Sequence, residues 1–94
     1  MSIVGFRHKG LERLFVKQDT RGIPAALAPK IRRMLFALDN AAEAAEMAFY
    51  PGWRLHALKG DLSEFWSITV TGNLRIIFRL ERGETRDVDL VDYH

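Results

Sequence analysis

From Phe65 to Leu80 the chain reads FWSITVTGNLRIIFRL, and this stretch restricts the fold more than any other. Apolar residues stand at Trp66, Ile68 and Val70, then at Leu74, Ile76, Phe78 and Leu80, with Ser67, Thr69, Arg75 and Arg79 between them. Alternating β-branched and aromatic residues on either side of Gly72-Asn73 predict a β-hairpin. Directly opposed residues share a face, so the length of the turn decides what each face carries. A two-residue Gly72-Asn73 turn would set Val70 against Arg75 and mix apolar with charged side chains. A three-residue turn, Thr71 to Asn73, sets Val70 against Leu74 and gathers every apolar residue just named on one side. The longer turn is the expected one, and it sends Arg75 and Arg79 to the opposite face.

The remaining segments supply what such a hairpin must pack against. Ser2 to Phe6 suits a short edge strand or docked terminus. His8 to Val16 reads as a helix with Leu11, Leu14 and Phe15 on one face. Gln18 to Ile23 is a polar link, and Pro24 suits the first turn of a helix, where its missing N–H costs nothing. The longer helix that follows places Leu27, Ile31, Met34, Leu35 and Leu38 at spacings of three and four. Asp39-Asn40 interrupts it before a further helical piece, Ala41 to Met47. The short link between the two helices suggests an antiparallel helix hairpin. Beyond Pro51-Gly52 the chain reads as strands at Trp53 to Leu58, Phe65 to Thr71, Leu74 to Arg82 and Arg86 to Val91. The fold class expected is α+β in a single domain, residues 1–94, with two N-terminal helices on one face of a twisted antiparallel sheet.

At 94 residues the chain has room for one small core. A chain of this size buries only about 60–65% of its unfolded surface. It has no cysteine, which excludes disulfides and thiolate metal sites and fits a reducing cytoplasm. No apolar run approaches the roughly 18 residues that a membrane span needs, and MSIVGFRHKG lacks the apolar centre of a secretion signal. The net charge of +2 is unevenly spread: residues 1–35 hold eight Lys/Arg against two Asp/Glu, so the remainder is net acidic. A basic N-terminal third suits phosphate backbones or an acidic protein, and it equally suits an ordinary solvated helix face.

No glycine-rich phosphate loop, HExxH or CxxC motif occurs. His8, His56 and His94 lack close metal-ligand spacing, and neither Ser63 nor Ser67 sits in a nucleophile elbow. What remains is a polar set in the strand half: His56, Lys59, Arg75, Tyr93 and His94. Lysine and arginine can hold a phosphate and offset charge that builds on its non-bridging oxygens. Histidine can move protons near neutral pH. Cleavage of RNA needs this inventory and neither metal nor cofactor. A base takes the 2′-OH proton, cations stabilise the phosphorane-like transition state, and an acid protonates the leaving 5′ oxygen. The same residues also suit ordinary surface charges, a half-buried strand histidine and a frayed tail. Parity adds a condition. His56 and Lys59 are three apart and point to opposite faces of an unbroken strand, so they converge only if the strand ends or bulges near Leu58.

The segments HKGLERLF, KIRRMLFALDNA, PGWRLHALKGD, WSITVTGNLRIIFRL and DVDLVDYH, in that order, resemble the HigB branch of the RelE/ParE toxin superfamily. These are toxins of type II toxin–antitoxin pairs, also called plasmid maintenance killer proteins. The resemblance implies two helices against a twisted antiparallel sheet. It also implies a ribosome-dependent, metal-independent endoribonuclease that cuts translated mRNA. By motif match the functional positions are His56 and Lys59 in RLHALKGD, Arg75 in GNLRI, and Tyr93 and His94 in VDYH. Arg75 and Lys59 would contact the scissile phosphate, His94 or His56 would serve as acid or base, and Tyr93 would stack on or orient a base. The basic helices would face 16S rRNA on the 70S ribosome. The partner would be a HigA-like helix-turn-helix antitoxin, through which operator DNA is reached indirectly.

One departure is Leu74, where the family often has an aromatic residue before the hairpin arginine; the register places it on the core side, where it affects packing. Trp53 is expected to pack at the rim rather than stack on RNA. Two other functions share this fold: a gyrase inhibitor of the ParE type, and a weakened module that only binds rRNA or antitoxin. Fold alone does not separate them, because function resides in the site.

Overall fold

In a computed structural model of the chain, residues 1–93 are described. The element order is β1 (Ser2–Ile3), α1 (Lys9–Lys17), a 3₁₀ turn (Ala25–Leu27), α2 (Ala28–Asn40) and a second 3₁₀ turn (Ala44–Phe49). It continues with β2 (His56–Ala57), a third 3₁₀ turn (Gly60–Leu62), β3 (Phe65–Thr69), β4 (Leu74–Glu81) and β5 (Glu84–Asp92). The strands form one sheet in the order β1-β5-β4-β3-β2.

The hairpin takes the three-residue register. Ile68 pairs with Ile76 and Thr69 with Arg75, and the Val70 N–H donates to the Leu74 carbonyl at 2.8 Å. Within the turn the Thr71 hydroxyl accepts from the Leu74 N–H at 3.1 Å. Lys30 of α2 reaches across to donate to the Val70 carbonyl, which ties the hairpin end to the helical layer. The covered face carries Ile68, Val70, Ile76, Phe78 and Val88, all in one buried cluster with Leu11 and Leu14 of α1 and Ile31, Met34, Leu35 and Leu38 of α2. Both helical stripes therefore end where their spacing predicts. Leu74 and Trp53 pack at the edge of this cluster, and the Trp53 ring stacks on Tyr50 at 4.0 Å.

The sheet is mixed, not purely antiparallel. β1 runs parallel to β5, with Ser2 opposite Glu84 and Ile3 opposite Thr85. The Met1 ammonium donates to the Ala41 carbonyl, and the Asp39 carboxylate accepts from the Ile3 N–H at 2.9 Å, so β1 is anchored to the end of α2. His8 caps α1, its Nδ1 accepting from the Leu11 N–H. Gly10 permits α1 to meet the following loop, since a Cβ there would lie 2.7 Å from the Gly22 carbonyl oxygen.

Four elements depart from expectation. Pro24 precedes a 3₁₀ turn, and Pro29 takes the first turn of α2 instead. The helical piece expected at Ala41 to Met47 is a 3₁₀ turn shifted to Ala44–Phe49, where the Glu46 carboxylate accepts from the N–H groups of Ala42 and Glu43. The strand expected from Trp53 to Leu58 contracts to His56–Ala57, because Arg54 lies in the left-handed region at φ 49° and breaks the extended run. β5 is longer than expected and bulged. Ile77 opposes Asp89 but Arg79 opposes Arg86, so Asp87 and Val88 together face Phe78. Asp87 absorbs the irregularity at φ 53°.

Candidate active site

Register fixes what the face away from the helices displays, where Ser67 and Ile77 are nonetheless buried. His56 opposes Ser67, Ser67 opposes Ile77, and Ile77 opposes Asp89, so these four form one row across β2, β3, β4 and β5. The next row toward the hairpin turn is Thr69, Arg75 and Val91. Tyr93 follows Val91 by two, and its N–H donates to the Asn73 carbonyl at 2.7 Å, which continues the ladder. Tyr93 thus stands on the face of Arg75, and the Arg75 guanidinium carbon lies 5.7 Å from the centroid of its ring. His56 and Arg75 are two strands and two residues apart, roughly 12 Å between Cα atoms at ordinary sheet spacings, and the Arg75 guanidinium is turned toward the hairpin end.

The two arginines of this face are in different electrostatic states. Arg79 is held by Asp87 at 2.8 Å, Glu81 at 3.2 Å and Glu64 at 3.6 Å. The Asp87 hydrogen bond is the main reason that Arg79 is raised above an already high arginine value. Its charge is spent within the protein. Arg75, half-buried, donates instead to the carbonyls of Thr71 at 2.8 Å and Gly72 at 3.2 Å. Among the described residues it has no carboxylate partner, so its charge remains available to an anion.

His56 is exposed, and its Nδ1 lies 2.9 Å from the Arg54 carbonyl. Lys59 is exposed where the chain leaves β2 and enters the turn at Gly60–Leu62. The strand ends before Lys59, which meets the condition for it to leave the opposite face; no contact joins it to His56. His94 lies outside the described residues. The structure brings Arg75 and Tyr93 into contact; His56 shares their face of the sheet without a contact to either, and Lys59 stands beyond the end of β2.

Sequence reasoning passed over Ser67 and Thr69. Both side-chain oxygens are buried without a hydrogen-bond partner among the described residues, Ser67 opposite His56 and Thr69 opposite Arg75. An unpaired buried hydroxyl is uncommon, and the polar positions of the hairpin were its only signal in the sequence. A concavity of about 1010 Å³ lies elsewhere. Leu14, Arg32, Arg33, Phe36, Met47 and Tyr50 help to line it on the helical side, and none of the five candidate residues reaches it.

The basic third also resolves into parts. Arg21 pairs with Asp19, Arg7 lies 3.9 Å from Asp87, and Lys30 is tied to the hairpin. Lys9, Arg13 and Lys17 recur every four residues on exposed positions of α1, while Arg32 and Arg33 project from α2.

Comparison with known proteins finds relatives over nearly the whole chain. The chain is 42% identical over 92 residues to a protein named endoribonuclease HigB from Proteus vulgaris, covering 98% of this chain and 99% of that one. Two solved structures share the fold at low identity. A YafQ variant from E. coli superposes with a TM-score of 0.64 at 14% identity, covering 97% of this chain and 91% of its own. A chain of the YoeB-YefM complex from Staphylococcus aureus matches with a TM-score of 0.63 at 16% identity, covering 100% of this chain and 97% of its own. The profile of the HigB-like toxin family, described as RelE-like toxins of the type II toxin–antitoxin system HigB, matches residues 4–94, and this chain belongs to that family.

Proposed function

We propose that the chain acts as a single toxin domain and an endoribonuclease that cuts translated mRNA on the ribosome by attack of a 2′-OH on the adjacent phosphodiester. The observation that carries this reading is the state of Arg75: among the described residues it has no carboxylate partner, and it lies over the Tyr93 ring, on the face that His56 shares. The 42% identity to a named endoribonuclease supports the same reading. Arg75, with Lys59, holds the scissile phosphate and offsets the charge that grows on its oxygens. His56 and His94 divide the two proton transfers: one removes the 2′-OH proton and the other protonates the departing 5′ oxygen. Tyr93 stacks on or orients a base. The products are a 2′,3′-cyclic phosphate and a free 5′-OH, a reaction that these side chains can carry without a metal.

The helices α1 and α2, read as an antiparallel pair behind the sheet, present Lys9, Arg13, Lys17, Arg32 and Arg33 toward 16S rRNA. The neutralising partner is a HigA-like helix-turn-helix antitoxin, which links the toxin to operator DNA, and the site of action is the cytoplasm. Among the described residues no helix is long and apolar enough to cross a membrane.

Primer extension on transcripts incubated with the protein, with and without ribosomes, tests the proposal. Cleavage only with ribosomes is the expected result. Intact mRNA together with double-strand DNA breaks would replace it with gyrase inhibition.

A further inference from the structure

His56 Nδ1 lies 2.9 Å from the Arg54 carbonyl, and a carbonyl can only accept. Nδ1 must therefore carry the hydrogen whenever the ring is neutral. The carbonyl points there because of an unusual backbone. Arg54 has φ 49°, in the left-handed region that L-residues other than Asn and Asp seldom occupy. On either side the chain is held in the ladder: the Trp53 carbonyl accepts from the Thr69 N–H at 2.6 Å, and the Leu58 N–H donates to the Phe65 carbonyl at 2.9 Å. The left-handed residue between these clamps turns one carbonyl out of the ladder and toward the imidazole two residues on.

We propose that Arg54 is a positioning residue for His56, its backbone carbonyl fixing the neutral imidazole as the Nδ1–H tautomer so that Nε2 is the atom through which the ring gains or loses a proton. This is the reverse of the tautomer that free imidazole side chains prefer, so the protein must impose it. Which nitrogen is bare is set by the bond the other one makes. The inference rests on the reading that His56 takes part in the proton transfers.

The test is a spectroscopic one. In ¹⁵N-labelled protein, two-bond ¹H–¹⁵N correlations of His56, recorded well above its measured titration midpoint, should show Nδ1 protonated and Nε2 bare. Arg54→Gly, which adopts positive φ without strain, should keep that pattern. Arg54→Val, whose β-branched side chain resists it, should shift the ring toward Nε2–H. It should also slow ribosome-dependent mRNA cleavage by at least about tenfold, because a catalytic imidazole in the wrong tautomer is severely impaired. The backbone amide spectrum of each variant reports whether the sheet is intact. An Nε2–H pattern in the unaltered protein overturns the proposal, as does an Arg54→Val protein that keeps both the Nδ1–H pattern and the cleavage rate. If His56→Ala cleaves at the original rate while the Nδ1–H pattern is present, the tautomer assignment stands and the catalytic reading beneath it fails.

Discussion

Arg75 lies against the ring of Tyr93, its guanidinium carbon 5.7 Å from the centroid, although the two are 18 positions apart in the chain. The antiparallel pairing of β4 with β5 makes this contact, since Arg75 opposes Val91 and Tyr93 is the next residue on that face. The pair joins the charge that a phosphate needs to a flat surface on which a base can rest. An exposed cation–π contact of this kind contributes about 0.5–1 kcal/mol. In a double-mutant cycle of Arg75→Ala and Tyr93→Ala, read by urea denaturation, a coupling of that size is expected, and additive losses would show that the two side chains are only adjacent.

Removing the cation itself has a larger effect on chemistry than on folding. Arg75→Ala should reduce ribosome-dependent mRNA cleavage by about 10²–10³-fold, the range for losing one donor to a transition-state oxyanion. Its urea midpoint should change little. Arg79→Ala on the same face should do the opposite, because that guanidinium is already committed to Asp87, Glu81 and Glu64. Equal cleavage losses in the two variants would mean that pairing with carboxylates does not distinguish them.

Phe78 sits at the centre of the covered face and is fully buried, directly across from the irregular pair Asp87 and Val88. Phe78→Ala should destabilise the protein by about 3–5 kcal/mol. That is a large part of the 5–15 kcal/mol typical of a whole domain. Chemical denaturation should show either a sharp fall in midpoint or a protein unfolded at 37 °C.

The turn between β4 and β5 leaves room for improvement. Glu81 opposes Glu84, and the two residues between them, Arg82 at φ 54° and Gly83 at φ 80°, both take positive φ. This hairpin turn favours Asn-Gly. Arg82→Asn should raise stability by about 0.5–1 kcal/mol, measurable as an upward shift in Tm, with cleavage unaffected.

Asp19 provides a pH test. Hydrogen bonds from the Arg21 side chain and backbone lower its pKa from 3.8 to about 2. A lowered folded-state value means that the favourable contact is complete above the unfolded pKa and is lost as the pH falls through the folded one. The window is therefore from about pH 4 down to about pH 2. A ¹³C carboxyl titration should place the midpoint near 2, and Arg21→Ala should return it toward 3.8.

Much of the architecture was legible because side-chain period and burial are coupled. The alternation around Gly72-Asn73 identified the hairpin register, and the spacing of Leu27, Ile31, Met34, Leu35 and Leu38 marked the buried stripe of α2. What escaped was backbone geometry without a glycine to announce it. Arg54 and Asp87 adopt left-handed φ values, one shortening β2 and the other bulging β5; arginine gives no sign of this in sequence, and aspartate permits it without requiring it. The parallel placement of β1 escaped as well, because two residues show no useful period. Within the site, the polar inventory of the strand half supplied the five candidate residues and the resemblance gave them roles. The structure then added what motifs do not carry: among the described residues Arg75 has no carboxylate partner where Arg79 has three, and the hydroxyls of Ser67 and Thr69 lie buried beside them.

The pairing of Ser2 with Glu84 and Ile3 with Thr85 also bears on how the protein is made. Residues separated by almost the full span of the domain must meet before the sheet's far edge is complete, and contacts so distant in sequence form late. During synthesis, then, β1 waits without its neighbour until β5 has cleared the exit tunnel. Arg75, emerging between the two, meets Tyr93 no earlier. A nascent copy whose β5 is still in the tunnel has an unfinished sheet and no Arg75–Tyr93 contact.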